Sequence, residues 1–254
     1  MANLTDYLNG MSLEKAWRGD FAQLTEKGMP EWQCQLLRQI CENAPADSKA
    51  AYDFLAEEDP LFHSIYGDGV VNGEKTFVFP LIKAANPDKV SCVIGPIGTQ
   101  TSKYHQETVQ QHVCMVAANL VDAGFDKDLA VKLAVLHDVG KKYTAATNKV
   151  GGVCFYAHAE LSAFIAGHWL RQTEDEASAK EIMAIIHGHM NPKTMPAFLD
   201  MDYPRKLLAF FGDPIISAWA TGRIEAFSEC DEGVTEFNQG IYEKIARGEA
   251  LICN

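Results

Sequence analysis

Apolar residues recur at helical spacing through most of the chain from Thr108 onward, and that periodicity predicts its main elements. In the stretch 108–123, Val109, Val113, Val116 and Leu120 form one stripe. "DKDLAVKLAVLHDVGKKY" places Leu129, Leu133 and Leu136 at i, i+4 and i+7, so this helix faces a core. "HAELSAFIAGHWL" carries Leu161, Phe164 and Ile165 along one face, and "KEIMAIIHGHM" carries Ile182, Ile185 and Ile186. "DPIISAWATGRIEAFSECDEG" aligns Ile216, Ala220, Ile224 and Phe227. Residues 1–66 read as short helices: "LEKAWRGDFAQL", "EWQCQLLRQICENA" and "SKAAYDFLAEE". Between these regions, "GVVNGEKTFVF" sets Asn72-Gly73 between β-prone runs, a strong hairpin signal. The segment rich in Pro, Gly and small polar residues that follows reads as a long connection. The pattern predicts a mainly α protein: a helical bundle over 96–254, with an N-terminal helical and hairpin region, 1–95, packed on it.

Several polar residues interrupt these apolar faces. His112 lies beside its stripe, three after Val109 and four before Val116. His137 and Asp138 end an otherwise apolar helix. His158 stands in the first turn of its helix. His189 continues the isoleucine stripe seven residues after Ile182, whereas His187 sits nearer the flank. Asp231 is the next residue on the Ile224–Phe227 face. Asp213, before Pro214, has a simpler reading as an N-cap. Gly140 reads as a C-cap, with Lys141 and Lys142 complementing the negative end of the helix dipole. A buried aspartate requires a partner or a metal. Five helices therefore each offer an imidazole or carboxylate to an interior, which is how helical bundles build metal sites.

Composition narrows the function. The net charge of −12 argues against extensive nucleic-acid binding but leaves room for a small anionic substrate at a local positive patch. Seven cysteines without a CxxC pair predict reduced thiols and a cytoplasmic setting. No apolar run reaches membrane-spanning length, and the first residues lack a signal-peptide pattern. Seven of the eight histidines (105, 112, 137, 158, 168, 187 and 189) fall within one third of the chain. Cys154 and His158 are four apart, but no second pair accompanies them as zinc would require. "GDGVVNGEKT" lacks the adjacent Gly-Lys of a phosphate loop. Cys34, Cys41, Trp169 and Trp219 read as core residues.

The order H…HD…D, with "LHDVGK" at its centre, resembles the HD-domain superfamily of metal-dependent phosphohydrolases over roughly residues 100–235. "KYHQETVQQHV", "FYAHAELSA" and "FSECDEG" look most like the HD domains attached to bacterial CCA-adding enzymes and related phage proteins. The nucleotidyltransferase head of those enzymes has no counterpart here, since "DMD" at 200–202 lies on the wrong side. The resemblance implies a first divalent metal (Mn, Fe, Co, Ni, Zn or Mg) held by His112, His137, Asp138 and Asp231. It implies that Asp138 also orients the attacking water, and that His158 and His189 either hold a second metal or donate to the phosphate. Lys141 would neutralise a phosphoryl oxygen, and Arg223 is a candidate for substrate binding, with Arg171 and Arg205 weaker ones. The expected partner is a small phosphorylated substrate, most simply a nucleotide, with no membrane involved. A second implication is a mixed-valent di-iron oxygenase acting on a polyol or phosphonate, because the same ligand order serves both.

Overall fold

The computed structural model describes residues 7, 21–57, 70–71, 74–75, 109–190, 218 and 221–246. Helices dominate: α1 (Ala22–Glu26), α2 (Glu31–Glu57), α3 (Val109–Asp122), α4 (Lys127–His137), α5 (Lys141–Thr144), α6 (His158–Thr173), α7 (Glu176–Gly188) and α8 (Arg223–Ala246). Two short antiparallel hairpins complete the elements, β1 (Val70–Val71) with β2 (Glu74–Lys75) and β3 (Ala146–Thr147) with β4 (Val153–Cys154). The first pairs Val71 with Glu74 and so encloses the two residues Asn72-Gly73, as the sequence predicts.

The helix α4 is the axis of the molecule. Asp126 caps it by accepting from the backbone N–H groups of Asp128 and Leu129. From Ala130 to His137 every residue is buried, as expected of a helix enclosed on all sides. Its neighbours are α3, α2, α6 and α7. The helix α6 packs in turn on α7 and α2, and α8 closes the bundle against α3 and α7. The expected stripes lie inside: Val113, Val116 and Leu120 from α3, Phe164 and Ile165 from α6, Ile182, Ile185 and Ile186 from α7, and Ile224 and Phe227 from α8. Phe21, Leu24, Met29, Cys34, Leu37 and Cys41 belong to the same core, so the N-terminal helices share it. Trp169 is likewise buried, with its ring against Tyr52.

Three local readings are corrected. The segments read separately at 31–44 and 48–58 run as one helix, α2, through Pro45. The stretch 213–233 is not one helix, because the chain turns at Thr221–Gly222, where Gly222 has φ +70, before α8 begins. Gly140 is not a left-handed C-cap, since its φ of −68 is right-handed. It is small for another reason. A Cβ there would meet the His158 carbonyl oxygen at 2.4 Å and Ser162 Oγ at 2.8 Å. The Gly140 N–H donates to Ser162 Oγ at 2.9 Å. Glycine thus lets the end of α4 touch the start of α6. Asp213, Arg205, Trp219 and His105 lie outside the described residues.

Candidate metal centre

Where α4 meets α6, each of four helices delivers a polar side chain to one buried point. His112 comes from α3, His137 from the last turn of α4, His158 from the first residue of α6, and Asp231 from the third turn of α8. Asp138 follows α4 directly, and His189 follows α7 as its C-cap. The four histidines and Asp138 are all buried. Phe227, one turn before Asp231, walls the cluster with its ring 5.4 Å from that of His137 and 5.9 Å from that of His189.

The donors divide into two sets. Ligating atoms of His112, His137 and Asp231 lie within 4.8 Å of one another, and so do those of Asp138, His158 and His189. His112 Nε2 is 2.6 Å from Asp231 Oδ1. Asp138 stands between the sets. Its Oδ2 is 3.3 Å from His137 Nε2 and 3.9 Å from His112 Nε2, while its Oδ1 is 3.5 Å from His158 Nε2. The sequence reading put Asp138 with the first set and, with a second ion bound, between the two; the structure turns one of its oxygens toward each set.

Three of the imidazoles are aimed by the same device. His137 Nδ1 donates to the Ala134 carbonyl at 2.7 Å, His158 Nδ1 to that of Phe155 at 2.7 Å, and His189 Nδ1 to that of Ile186. Each bond fixes the tautomer and leaves Nε2 with a lone pair directed at the cluster. His158 is further set by Ala157, whose φ of +61 is rare for a residue with a side chain.

Electrostatics favour charged carboxylates and neutral imidazoles. Burial alone would raise the Asp138 carboxyl, yet the His137 imidazole and the Lys141 ammonium hold it well below the usual carboxylate range. Asp231 is likewise lowered, its burial outweighed by His112 and His137. Burial pushes His158 down to about 3 and lowers His189 too. Those are the protonation states that coordinate metals. The fit is supported by what the atoms lack. His137 Nε2, His158 Nε2 and Asp138 Oδ1 are buried without a directed hydrogen bond, a costly arrangement unless a cation completes it; Asp138 Oδ2 has the Lys141 ammonium beside it. Imidazole nitrogen with carboxylate oxygen suits first-row divalent ions and magnesium.

The remaining candidates fall on either side of this cluster. Lys141 is buried with Nζ 2.7 Å from Asp138 Oδ2 and 5.7 Å from the Phe155 ring centroid, so it faces the site rather than capping α4. Arg223 stands apart. Its guanidinium pairs with Glu181 at 2.7 Å on a half-exposed surface, eight residues along α8 from Asp231, or about 12 Å of helix. Arg171, thirteen residues along α6 from His158, contacts His168 Nδ1 at 2.7 Å. The Cys154 thiol donates to the Ala146 carbonyl and joins neither donor set. Sequence reasoning missed the β3–β4 hairpin, whose Phe155 carbonyl holds His158, although "NKVGGVCFY" carries the turn residues and β-prone run that would have marked it.

Comparison with known proteins agrees with this geometry. A family model described as HD domain matches residues 104–217. No curated protein and no solved structure matches the chain. The matched stretch contains His112, His137, Asp138, His158 and His189, and Asp231 reaches them from beyond its end. HD domains bind divalent metals and are generally metal-dependent hydrolases. Over residues 104–217 this chain is similar to HD domains.

Proposed function

We propose that this protein is a metal-dependent phosphohydrolase that cleaves a small phosphoester, most simply a mononucleotide or a 2′,3′-cyclic nucleotide. The observation that carries the reading is the position of Asp138 between two sets of buried donors, one oxygen toward each. In this reading His112, His137 and Asp231 hold one divalent ion, His158 and His189 a second, and Asp138 serves both. Bound there, such ions lower the pKa of water and polarise a phosphoryl oxygen.

The chain's own residues supply the rest. The Nδ1 bonds of His137, His158 and His189 keep their Nε2 lone pairs in place without reorganisation. The Asp138 carboxylate, charged at neutral pH, orients the attacking water and accepts its proton. Lys141 brings a positive charge to a non-bridging phosphoryl oxygen. The nucleotide preference draws on "KYHQETVQQHV" and "FYAHAELSA", which look like the domains associated with CCA-adding enzymes. In the same proposal the HD domain occupies 96–254, an N-terminal region 1–95 packs on it, and the protein works in the cytoplasm. No helix among the described residues is long and apolar enough to cross a membrane.

The test is reconstitution. Chelated protein should lose phosphate release from nucleotides and recover it with Mg²⁺, Zn²⁺ or another redox-inert ion, equally well with and without O₂. Activity that strictly requires iron and O₂, or none after any metal is restored, would overturn the proposal.

A further inference from the structure

Just outside the polar cluster the surface becomes apolar. Tyr156, two residues before His158, is 64% exposed, and Met190, directly after His189, is 55% exposed. Val153 in β4 and Val150 at the hairpin tip are exposed as well. Large exposed apolar side chains are unremarkable singly, but a group of them beside a binding site marks a contact surface. Tyr156 and Met190 thus adjoin in the chain the two members of the His158–His189 pair, whose ring centroids are 5.4 Å apart.

The segment that presents Tyr156 is built to hold still. Asn148 Oδ1 accepts from the N–H groups of Val150 and Gly152, and Gly151 takes φ +83 to close the turn. The Asn148 N–H donates to the Gly152 carbonyl at 2.8 Å, and β3 pairs with β4. At the other end, Phe155 is tied by its carbonyl to both the His158 ring and the His158 N–H, and its ring lies under the Lys141 ammonium. Ala157, at φ +61, turns the chain sharply between the exposed Tyr156 and the buried His158. Two residues span at most about 7 Å between Cα atoms. The backbone of Tyr156 therefore lies within about 7 Å of that of His158, whose Nε2 is 3.5 Å from Asp138 Oδ1.

A ligand matching both features has a doubly charged end and a flat, apolar end. We propose that Tyr156 is the specificity-determining residue of the metal centre, stacking on a planar ring carried by the phosphoester. The hairpin and Met190 flank that ring. The proposal rests on the phosphohydrolase reading for the position of the phosphate, and it adds which phosphoesters are chosen: those bearing a base or aryl ring over those bearing a bare sugar or polyol. Stacking of a base on one aromatic side chain is sequence-tolerant, so preference among the bases should be slight.

The experiment measures equilibrium binding by calorimetry, in Mn²⁺-supplemented buffer, of adenosine 5′-monophosphate and of ribose 5-phosphate. Wild type should bind the adenosine compound at least tenfold more tightly. Tyr156→Ala should bring that ratio to within twofold of one, and Tyr156→Phe should keep it, because the ring and not the hydroxyl makes the contact. Because Tyr156 is exposed, both variants should melt with wild type. Equal affinity of wild type for the two probes, absence of binding, or a ratio that survives Tyr156→Ala would overturn the proposal. Binding with this pattern but without turnover would uphold it and reject the hydrolytic reading alone.

Discussion

Replacing Gly140 by alanine probes the joint on which the centre depends. The added methyl would stand 2.4 Å from the His158 carbonyl oxygen, against an ordinary contact of 3.4 Å or more, and 3.0 Å from the Ser162 backbone nitrogen. Both are backbone atoms in the first turns of α6, so no side chain can swing aside. The helix must move by about 1 Å, at a cost of roughly 1–3 kcal/mol typical of overpacking. For a domain of this size, 2 kcal/mol lowers Tm by about 4–8 °C. The same shift carries His158 away from Asp138, now 3.5 Å apart, and metal sites tolerate only about 0.2 Å. His112, His137 and Asp231 stand on α3, α4 and α8 and are not displaced. Gly140→Ala should therefore melt several degrees lower and bind one equivalent of Mn²⁺ where wild type binds two, read by calorimetric titration and elemental analysis. Ser162→Ala combined with it should not rescue, because the His158 carbonyl remains the closest contact. A Gly140→Ala protein with wild-type Tm and metal stoichiometry would refute the reasoning.

Other outcomes follow from the same geometry. Asp138→Asn keeps the shape but removes the charge facing both donor sets, so phosphate release should fall at least about 100-fold while circular dichroism stays native; substantial turnover would remove Asp138 from the mechanism. Asp231→Asn should weaken one metal equivalent and spare the other, and simultaneous loss of both would contradict the division into two sets. His168 tests burial at a distance from the centre. Burial, assisted by Arg171, pushes its folded pKa down to about 4, against about 6.5 when unfolded. The unfolded chain therefore takes up this proton first, and stability falls as pH drops from 6.5 toward 4, by about 3 kcal/mol in all. His168→Gln should flatten the pH dependence of Tm in that window, and an unchanged slope would exclude the residue as its source.

How far the sequence spoke for itself depends on the range of the interaction. His112 and Asp231 were legible because a helix face is a local property: His112 lies beside an apolar stripe and Asp231 continues one, where a polar residue needs a reason. The bundle followed from the same periodicity. Gly140 was misread because its smallness answers to His158 and Ser162, some twenty residues away, and no local rule reports that contact. Which Asp138 oxygen faces which imidazole was not legible, since it is decided by the meeting of α4 with α6. The β3–β4 hairpin escaped because its two-residue strands show no alternation, which left the turn residues of "NKVGG" as its one local signal. Arg223 looked suitable for an anion by residue type alone, while Glu181 on the neighbouring helix had already claimed it.

The most direct test is anomalous X-ray scattering from crystals grown with Mn²⁺. Two peaks should flank Asp138, one within about 2.0–2.3 Å of ligand atoms from His112, His137 and Asp231, the other equally close to His158 and His189. An Asp138 carboxylate that touches neither peak, or Mn²⁺ bound elsewhere with both donor sets bare, would contradict the account.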